Sequence, residues 1–111
     1  MRSIATRTAV ALLVASGVPG LAGASDYRLV IEGHRFQPDR LQLPAQERVQ
    51  LVIENRDATP EEFESHDLRR EKIVPANAQV SLWVGPLPAG EYHFFGEFHE
   101  DTAQGKLIVV E

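Results

Sequence analysis

Residues 90–110 read Gly-Glu-Tyr-His-Phe-Phe-Gly-Glu-Phe-His-Glu-Asp-Thr-Ala-Gln-Gly-Lys-Leu-Ile-Val-Val. Tyr92 and Phe94 recur at the two-residue period of a β-strand, and Leu107 and Val109 do so again near the end. The stretch therefore predicts two core strands joined by a loop.

The loop between these two predicted strands is rich in side chains that bind metals. It carries Glu97, His99, Glu100 and Asp101. Carboxylate oxygens and imidazole nitrogens are common ligands of transition metals, and functional loops are often held by a rigid scaffold. The loop is therefore a candidate metal site.

The rest of the chain shows further short strands separated by turn residues. Pro38 interrupts the second of these strands and predicts that it is bent and lies at a sheet edge. The predicted strands cover 27–32, 36–43, 47–54, 61–65, 68–75 and 79–84. With the final pair this gives seven to eight strands and no helix, which predicts an all-β Greek-key β-sandwich.

Residues 1–24 have the pattern of a signal peptide. Arg2 and Arg7 give a positively charged start, residues 9–15 are a short apolar run, and Ala22-Gly23-Ala24 is a small-residue cleavage signal. The run is too short to span a bilayer, and no Cys follows it to take a lipid anchor. We expect cleavage after Ala24, a periplasmic location, and one domain over 25–111 without membrane insertion.

Charge and composition exclude several classes of function. Two of the eleven Lys and Arg and none of the sixteen Asp and Glu lie in residues 1–24, so the net charge of −5 becomes −7 for residues 25–111. An acidic domain disfavours nucleic acid or anionic lipid as a partner and suits cations. The chain has no Cys, and no serine–histidine elbow is evident, so hydrolytic enzyme classes are disfavoured.

Residues 90–110 resemble the last two strands of the cupredoxins, where a Gly-x-Tyr-x-Phe strand leads into a loop with Cys, His and usually Met. By this resemblance His99 falls on the family's histidine and Gly96 on its cysteine, with Ala103 or Gln104 near the methionine. Residues 36–57 similarly resemble the N-terminal half of the family. Because a blue-copper centre needs a thiolate, the resemblance implies a non-blue site.

Three segments together resemble a narrower group, the small periplasmic cupredoxin-like proteins that accompany bacterial ferrous-iron permeases. The segments are Glu-Phe-Glu-Ser at 62–65, Arg-Arg-Glu-Lys at 69–72 and Phe-Phe-Gly-Glu-Phe-His-Glu-Asp at 94–101. A related iron-uptake component has a Glu-aromatic-Glu at the equivalent place. This resemblance implies an iron permease, or another periplasmic iron-uptake component, as partner.

Carboxylates stand where the cupredoxins have their first histidine ligand, after Thr59-Pro60. If Phe63 points into the core, Glu62 and Glu64 share the opposite face and Glu61 lies on the side of Phe63. Which of these three carboxylates faces the site stays open. The predicted primary ligands are Glu62, Glu97 and His99, and the supporting or second-site ligands are Glu100, Asp101, Glu64 and Glu71.

Oxygen and imidazole donors suit Cu(II) and Fe(III) and do not favour Cu(I), so the expected cofactor is copper, iron or both. Plainer interpretations remain: Glu62 and Glu64 as charges that protect a sheet edge, and Glu71 as a partner of neighbouring basic residues. His34 and His66 are expected to face solvent, and Trp83 to be partly exposed.

Three functions follow as hypotheses. The first is a redox-active metal protein that assists ferrous-iron oxidation and uptake by a permease, and whether it acts as an enzyme stays open. The second is a periplasmic metal carrier without electron transfer. The third is a metal-free interaction module.

Overall fold

The computed structural model describes residues 26–111, so the predicted signal peptide lies outside the described residues. Within this range the chain forms nine strands, and a short 3-10 turn, Glu97–His99, joins the last two. The strands are β1 Asp26–Ile31, β2 Phe36–Gln37, β3 Arg40–Pro44, β4 Val49–Asn55, β5 Glu61–Ser65, β6 Arg70–Val74, β7 Gln79–Val84, β8 Gly90–Gly96 and β9 Gln104–Val110.

The nine strands form two sheets packed face to face. One sheet has the order β2-β1-β4-β7, and the other has the order β3-β9-β8-β5-β6. The pairs β1–β4 and β3–β9 are parallel, and the remaining neighbours are antiparallel. The predicted all-β Greek-key sandwich is confirmed.

One predicted strand is two strands in the structure, which accounts for the difference between the eight predicted ranges and the nine observed strands. Residues 36–43 were predicted to form a single bent strand, but β2 pairs with β1 in one sheet and β3 pairs with β9 in the other. The chain changes sheets at Pro38-Asp39, between them. The expectation that this segment lies at a sheet edge holds, since β2 and β3 each border their sheet.

The core lies between the two sheets and contains three phenylalanines at its centre. The ring of Phe36 meets that of Phe94 edge-on, with centroids 4.9 Å apart, and the ring of Phe63 lies 5.3 Å from that of Phe94. Aromatic pairs favour such offset and edge-to-face contacts. Leucine, isoleucine and valine side chains from both sheets complete the buried cluster.

Trp83 is partly exposed, as the sequence predicted. It is 44% exposed, as expected from its place between the buried Leu82 and Val84, and the guanidinium of Arg48 lies 4.4 Å from the centre of its ring. Among residues 26–111, no helix has the length and apolar character needed to cross a bilayer.

Candidate metal centre

Strand β5 decides which carboxylate points where. Phe63 is fully buried, and because side chains alternate along a strand, Glu61 and Ser65 are buried beside it. Glu62 and Glu64 point to the outer face of the same strand and are half-buried. This is the arrangement expected from the sequence if Phe63 points into the core, and it places Glu61 inside and the other two carboxylates outside.

Three carboxylates gather on the outer face, and we call Glu62, Glu64 and Glu97 the carboxylate cluster. One oxygen from each can be chosen so that all three lie within 4.8 Å of one another. Two come from β5 and the third from the 3-10 turn that follows β8. Glu71 lies directly across from Glu64 in the pairing of β5 with β6. Such an arrangement of oxygen atoms can surround a hard cation.

Partial burial and the neighbouring carboxylates together raise the pKa values of two cluster residues, Glu62 and Glu64. Partial burial raises the pKa of Glu62 above its ordinary value of 4.5, and the carboxyl of Glu71 raises it further by a hydrogen bond and by its charge. Partial burial also raises the pKa of Glu64, helped by a hydrogen bond with Glu97 and by the charges of Glu71 and Glu97.

Among residues 26–111, no salt bridge neutralises these carboxylates, and the charge of His66 only partly offsets the effect of the other carboxylates on Glu64. In the described part of the chain, the salt bridges of Lys, Arg and His involve other acidic residues only. A cation bound at the cluster would therefore supply the missing positive charge.

The side chain of Glu61 is at the centre of a second arrangement, which we call the inner network: Glu61, His99 and His34. Glu61 is 1% exposed. Its Oε1 accepts hydrogen bonds from the backbone N–H of Glu62 (3.0 Å) and of Phe98 (2.9 Å). Its Oε2 lies 2.7 Å from Nδ1 of His99. Both carboxylate oxygens are thus bonded, as a buried acid requires.

His34 covers the other side of this network. Its ring stacks on that of His99, with centroids 3.6 Å apart and an angle of 13° between the planes. The backbone N–H of His34 donates to Asp57, and its carbonyl accepts from the hydroxyl of Thr102. Partial burial opposes ionisation of Asp57, but the N–H groups of His34 and Gly33 outweigh it and lower the pKa.

The structure divides the predicted ligands between these two places. Glu62, Glu64 and Glu97 come together, and Glu71 lies beside them. His99 lies in the inner network instead, bonded to Glu61. Glu100 and Asp101 are exposed residues that follow the 3-10 turn and belong to neither group.

His34 is the residue that sequence reasoning missed, because it was expected to face solvent and is half-buried against His99. No local pattern points to this contact, since His34 follows a strand of one sheet and His99 a strand of the other, and only the packing of the two sheets brings them together.

Comparisons with known proteins agree with this architecture. The model of a family described as a cupredoxin-like domain matches residues 5–109. The uncharacterized protein RP394 of Rickettsia prowazekii (strain Madrid E) is 45% identical over 84 residues, which cover 76% of this chain and 67% of that protein.

Two solved structures illustrate the shared fold. The metal-binding domain of the Cu(I)-exporting P-type ATPase CopA of Streptococcus pneumoniae D39, with Cu(I), superposes with a TM-score of 0.69 at 15% identity, covering 78% of this chain and 85% of that one. Auracyanin A, a "blue" copper protein of Chloroflexus aurantiacus, gives a TM-score of 0.66 at 16% identity, covering 77% of this chain and 98% of that one.

The residues of the inner network do not fit a thiolate copper centre. The chain has no Cys, and a Cβ added at Gly96 would lie 2.5 Å from Cδ and 2.6 Å from Oε2 of Glu61. The carboxyl group of Glu61 therefore fills the space that a side chain at position 96 would need, and both its oxygens are already bonded. The family model matches most of the chain, and the chain shares its two-sheet fold with copper proteins such as auracyanin A. The chain therefore belongs to the cupredoxin-like domain family.

Proposed function

We propose that this protein binds a metal cation through the carboxylate cluster. The single observation that carries the proposal is the convergence of Glu62, Glu64 and Glu97, which form no salt bridge with a basic side chain of residues 26–111. The raised pKa values of Glu62 and Glu64 support it, because neighbouring carboxylate charges add to the effect of partial burial, and a bound cation would offset those charges.

The donor atoms favour a hard cation. Carboxylate oxygens suit Fe(III) and Cu(II) and are poor ligands for Cu(I), which prefers thiolate and thioether sulfur. Copper is supported by proteins of similar fold such as auracyanin A, which is a "blue" copper protein. Iron is supported by the donor set of the cluster, which consists of oxygen atoms only. Both metals are therefore part of the proposal, in a site without the blue colour of a thiolate centre.

We further propose that the cargo is ferrous iron and that the protein works in the periplasm beside an iron permease. Oxygen ligands stabilise Fe(III) over Fe(II), which makes loss of one electron by Fe(II) easier. Loss of that electron requires an acceptor, and Cu(II) supplied together with the iron would take it and become Cu(I). The support is the resemblance of residues 62–65, 69–72 and 94–101 to permease-associated proteins, and the predicted signal peptide at residues 1–24.

Metal titration of the full-length protein tests the binding site. We expect each of the variants Glu62→Gln, Glu64→Gln and Glu97→Gln to bind Fe(III) or Cu(II) at least about tenfold more weakly than the wild type. Loss of a residue that only supports a metal ligand already costs about this much affinity. Glu91→Gln is a matched control, because Glu91 is an exposed strand carboxylate that pairs with Lys106. If the three cluster variants bound both metals as tightly as the Glu91→Gln control, the proposed site would be refuted.

Two further measurements separate the hypotheses of function. Rapid mixing of the protein with Fe(II) in the presence of Cu(II), without oxygen, should produce Fe(III) if the protein supports oxidation. Binding without Fe(III) formation would instead indicate a carrier. A deletion strain given only ferrous iron should regain uptake from the wild type and not from the Glu62→Gln or Glu97→Gln variant. Full rescue by both variants would favour the metal-free interaction module.

A further inference from the structure

The buried carboxylate of Glu61 joins the two segments that carry the carboxylate cluster. One oxygen, Oε1, accepts from the N–H of Glu62 on β5 and from the N–H of Phe98 in the 3-10 turn. Glu62 is itself a cluster residue, and Phe98 directly follows Glu97, another cluster residue. A single buried atom thus links the backbone beneath two of the three outer carboxylates.

The 3-10 turn depends on this link for the N–H of Phe98, its second residue. Its N-cap residue is Gly96, which supplies no side-chain hydrogen bond. The first N–H groups of a helical turn have no partner within the turn and need one from elsewhere. Glu61 provides that partner from a different strand, and it thereby ties the start of the turn, where Glu97 lies, to β5.

The position of Glu61 is fixed from every side. Oε2 is held by Nδ1 of His99, whose ring is covered by His34. The bare Cα of Gly96 leaves space for the carboxyl group, and a Cβ there would overlap it. A side chain that is 1% exposed and bonded through both oxygens has no other rotamer to adopt without losing these contacts.

We propose that Glu61 is a positioning residue for metal binding at the carboxylate cluster, setting the separation of Glu62 and Glu97 through its two backbone hydrogen bonds; this inference rests on the function proposed above. Glu61 does not contact the metal. It acts from the opposite face of β5, as outer partners orient metal ligands in other proteins. The inner network, which cannot hold a thiolate copper ion, here serves the outer cluster.

Three variants of the full-length protein test this role by titration with Cu²⁺ alone and with Fe³⁺ alone. Glu61→Ala removes both hydrogen bonds and should weaken binding about 10–100-fold, the range for lost outer-shell partners, whereas Glu61→Gln should stay within about threefold of wild type. The amide oxygen of Gln can accept from both N–H groups, and its NH₂ can donate to Nδ1 of His99.

Ser65→Ala is the control for a general loss of stability. Ser65 is 1% exposed on the same face of β5, where its hydroxyl donates to the carbonyl of His93 and accepts from the N–H of Leu68. Its loss should lower the melting temperature without a comparable change in metal affinity. Equal weakening by Ser65→Ala and Glu61→Ala would overturn the proposal, as would wild-type affinity in Glu61→Ala or failure of Glu61→Gln to restore binding.

A measurement without metal separates this inference from the proposed function. Hydrogen exchange of the Phe98 amide should be slow in the wild type and in Glu61→Gln, and fast in Glu61→Ala, because Glu61 protects that N–H. If the wild type bound neither metal, the proposed function would fail and so would a role in metal binding. Unchanged exchange in Glu61→Ala would instead refute the link itself, whatever the metal titrations show.

Discussion

Adding one methyl group at Gly96 should destabilise the protein through the carboxyl of Glu61. The new Cβ would lie 2.5 Å from Cδ of Glu61 and 2.7 Å from Cβ of Ala103, whereas carbon atoms in contact prefer about 3.5–4.0 Å. Overpacking of this kind costs about 1–3 kcal/mol. The backbone at Gly96 is extended, with φ −98° and ψ 112°, so alanine also brings the usual gain of about 0.4–1 kcal/mol from a less flexible unfolded chain.

We therefore expect Gly96→Ala to lower the free energy of unfolding by about 1–2 kcal/mol, which corresponds to a fall of roughly 4–16 °C in melting temperature for a domain of this size. Urea unfolding of the single variants Gly96→Ala and Glu61→Ala and of the double variant measures the coupling. Glu61→Ala alone should cost about 1–3 kcal/mol, because it leaves the N–H groups of Glu62 and Phe98 without a partner.

The double variant should lose less stability than the sum of the two single variants, because removal of the carboxyl group makes room for the methyl group. A coupling of at least about 0.5 kcal/mol is expected for such directly opposed side chains. Additive losses would show that the carboxyl of Glu61 does not fill the space beside Gly96.

Three more predictions concern the cluster, the spectrum and a buried amide. Because the pKa of Glu64 is raised in the folded protein, its contribution to stability is greatest below its ordinary pKa and is lost as pH rises through the raised value. The stability of the metal-free protein relative to Glu64→Gln, measured by urea unfolding, should therefore fall as the pH rises above the ordinary pKa of 4.5, and a constant difference would contradict the shift. Protein loaded with Cu²⁺ should show an ordinary tetragonal EPR signal and no intense thiolate-to-copper absorption, since it has no Cys; an intense blue colour would refute this. Asn55→Ala should cost at least about 1–3 kcal/mol in urea unfolding, because the buried amide of Asn55 bonds Thr59, Val74 and Asp57, and a loss near zero would show that these bonds are replaced by water.

Alternation along single strands carried most of the fold prediction. The strand predicted over 79–84 matches β7, and the placement of Glu61 on the side of Phe63 follows once that residue is taken as core. These features depend only on neighbouring residues, because the side-chain period of a strand is fixed by local geometry.

The error over residues 36–43 also has a local explanation. Phe36 and Leu41 are five positions apart, an odd number, so one continuous strand would place them on opposite faces. The structure resolves this conflict by ending β2 at Gln37 and starting β3 at Arg40 in the other sheet.

The composition of the candidate site depended on contacts between distant parts of the chain. His99 was grouped with Glu62 and Glu97 because it falls on the histidine of the cupredoxins and shares a loop with Glu97, yet its ring turns toward Glu61 and His34. Sequence spacing says which residues share a segment, but the direction of a side chain in a 3-10 turn is set by what packs against that turn. Here that partner is a buried carboxylate on β5.

The parallel pairing of β3 with β9 has a consequence for how the chain folds. It joins Arg40 to Lys106 and Pro44 to Val110, so almost the whole domain must be present before this pair can form. Such distant pairings carry a large loop-closure entropy and are typical of slow-folding β-proteins. A folding chain would hold β3 and β8 without their common neighbour until the last seven-residue strand paired with them, and a chain truncated before Gln104 would expose both as unpaired edges prone to aggregation.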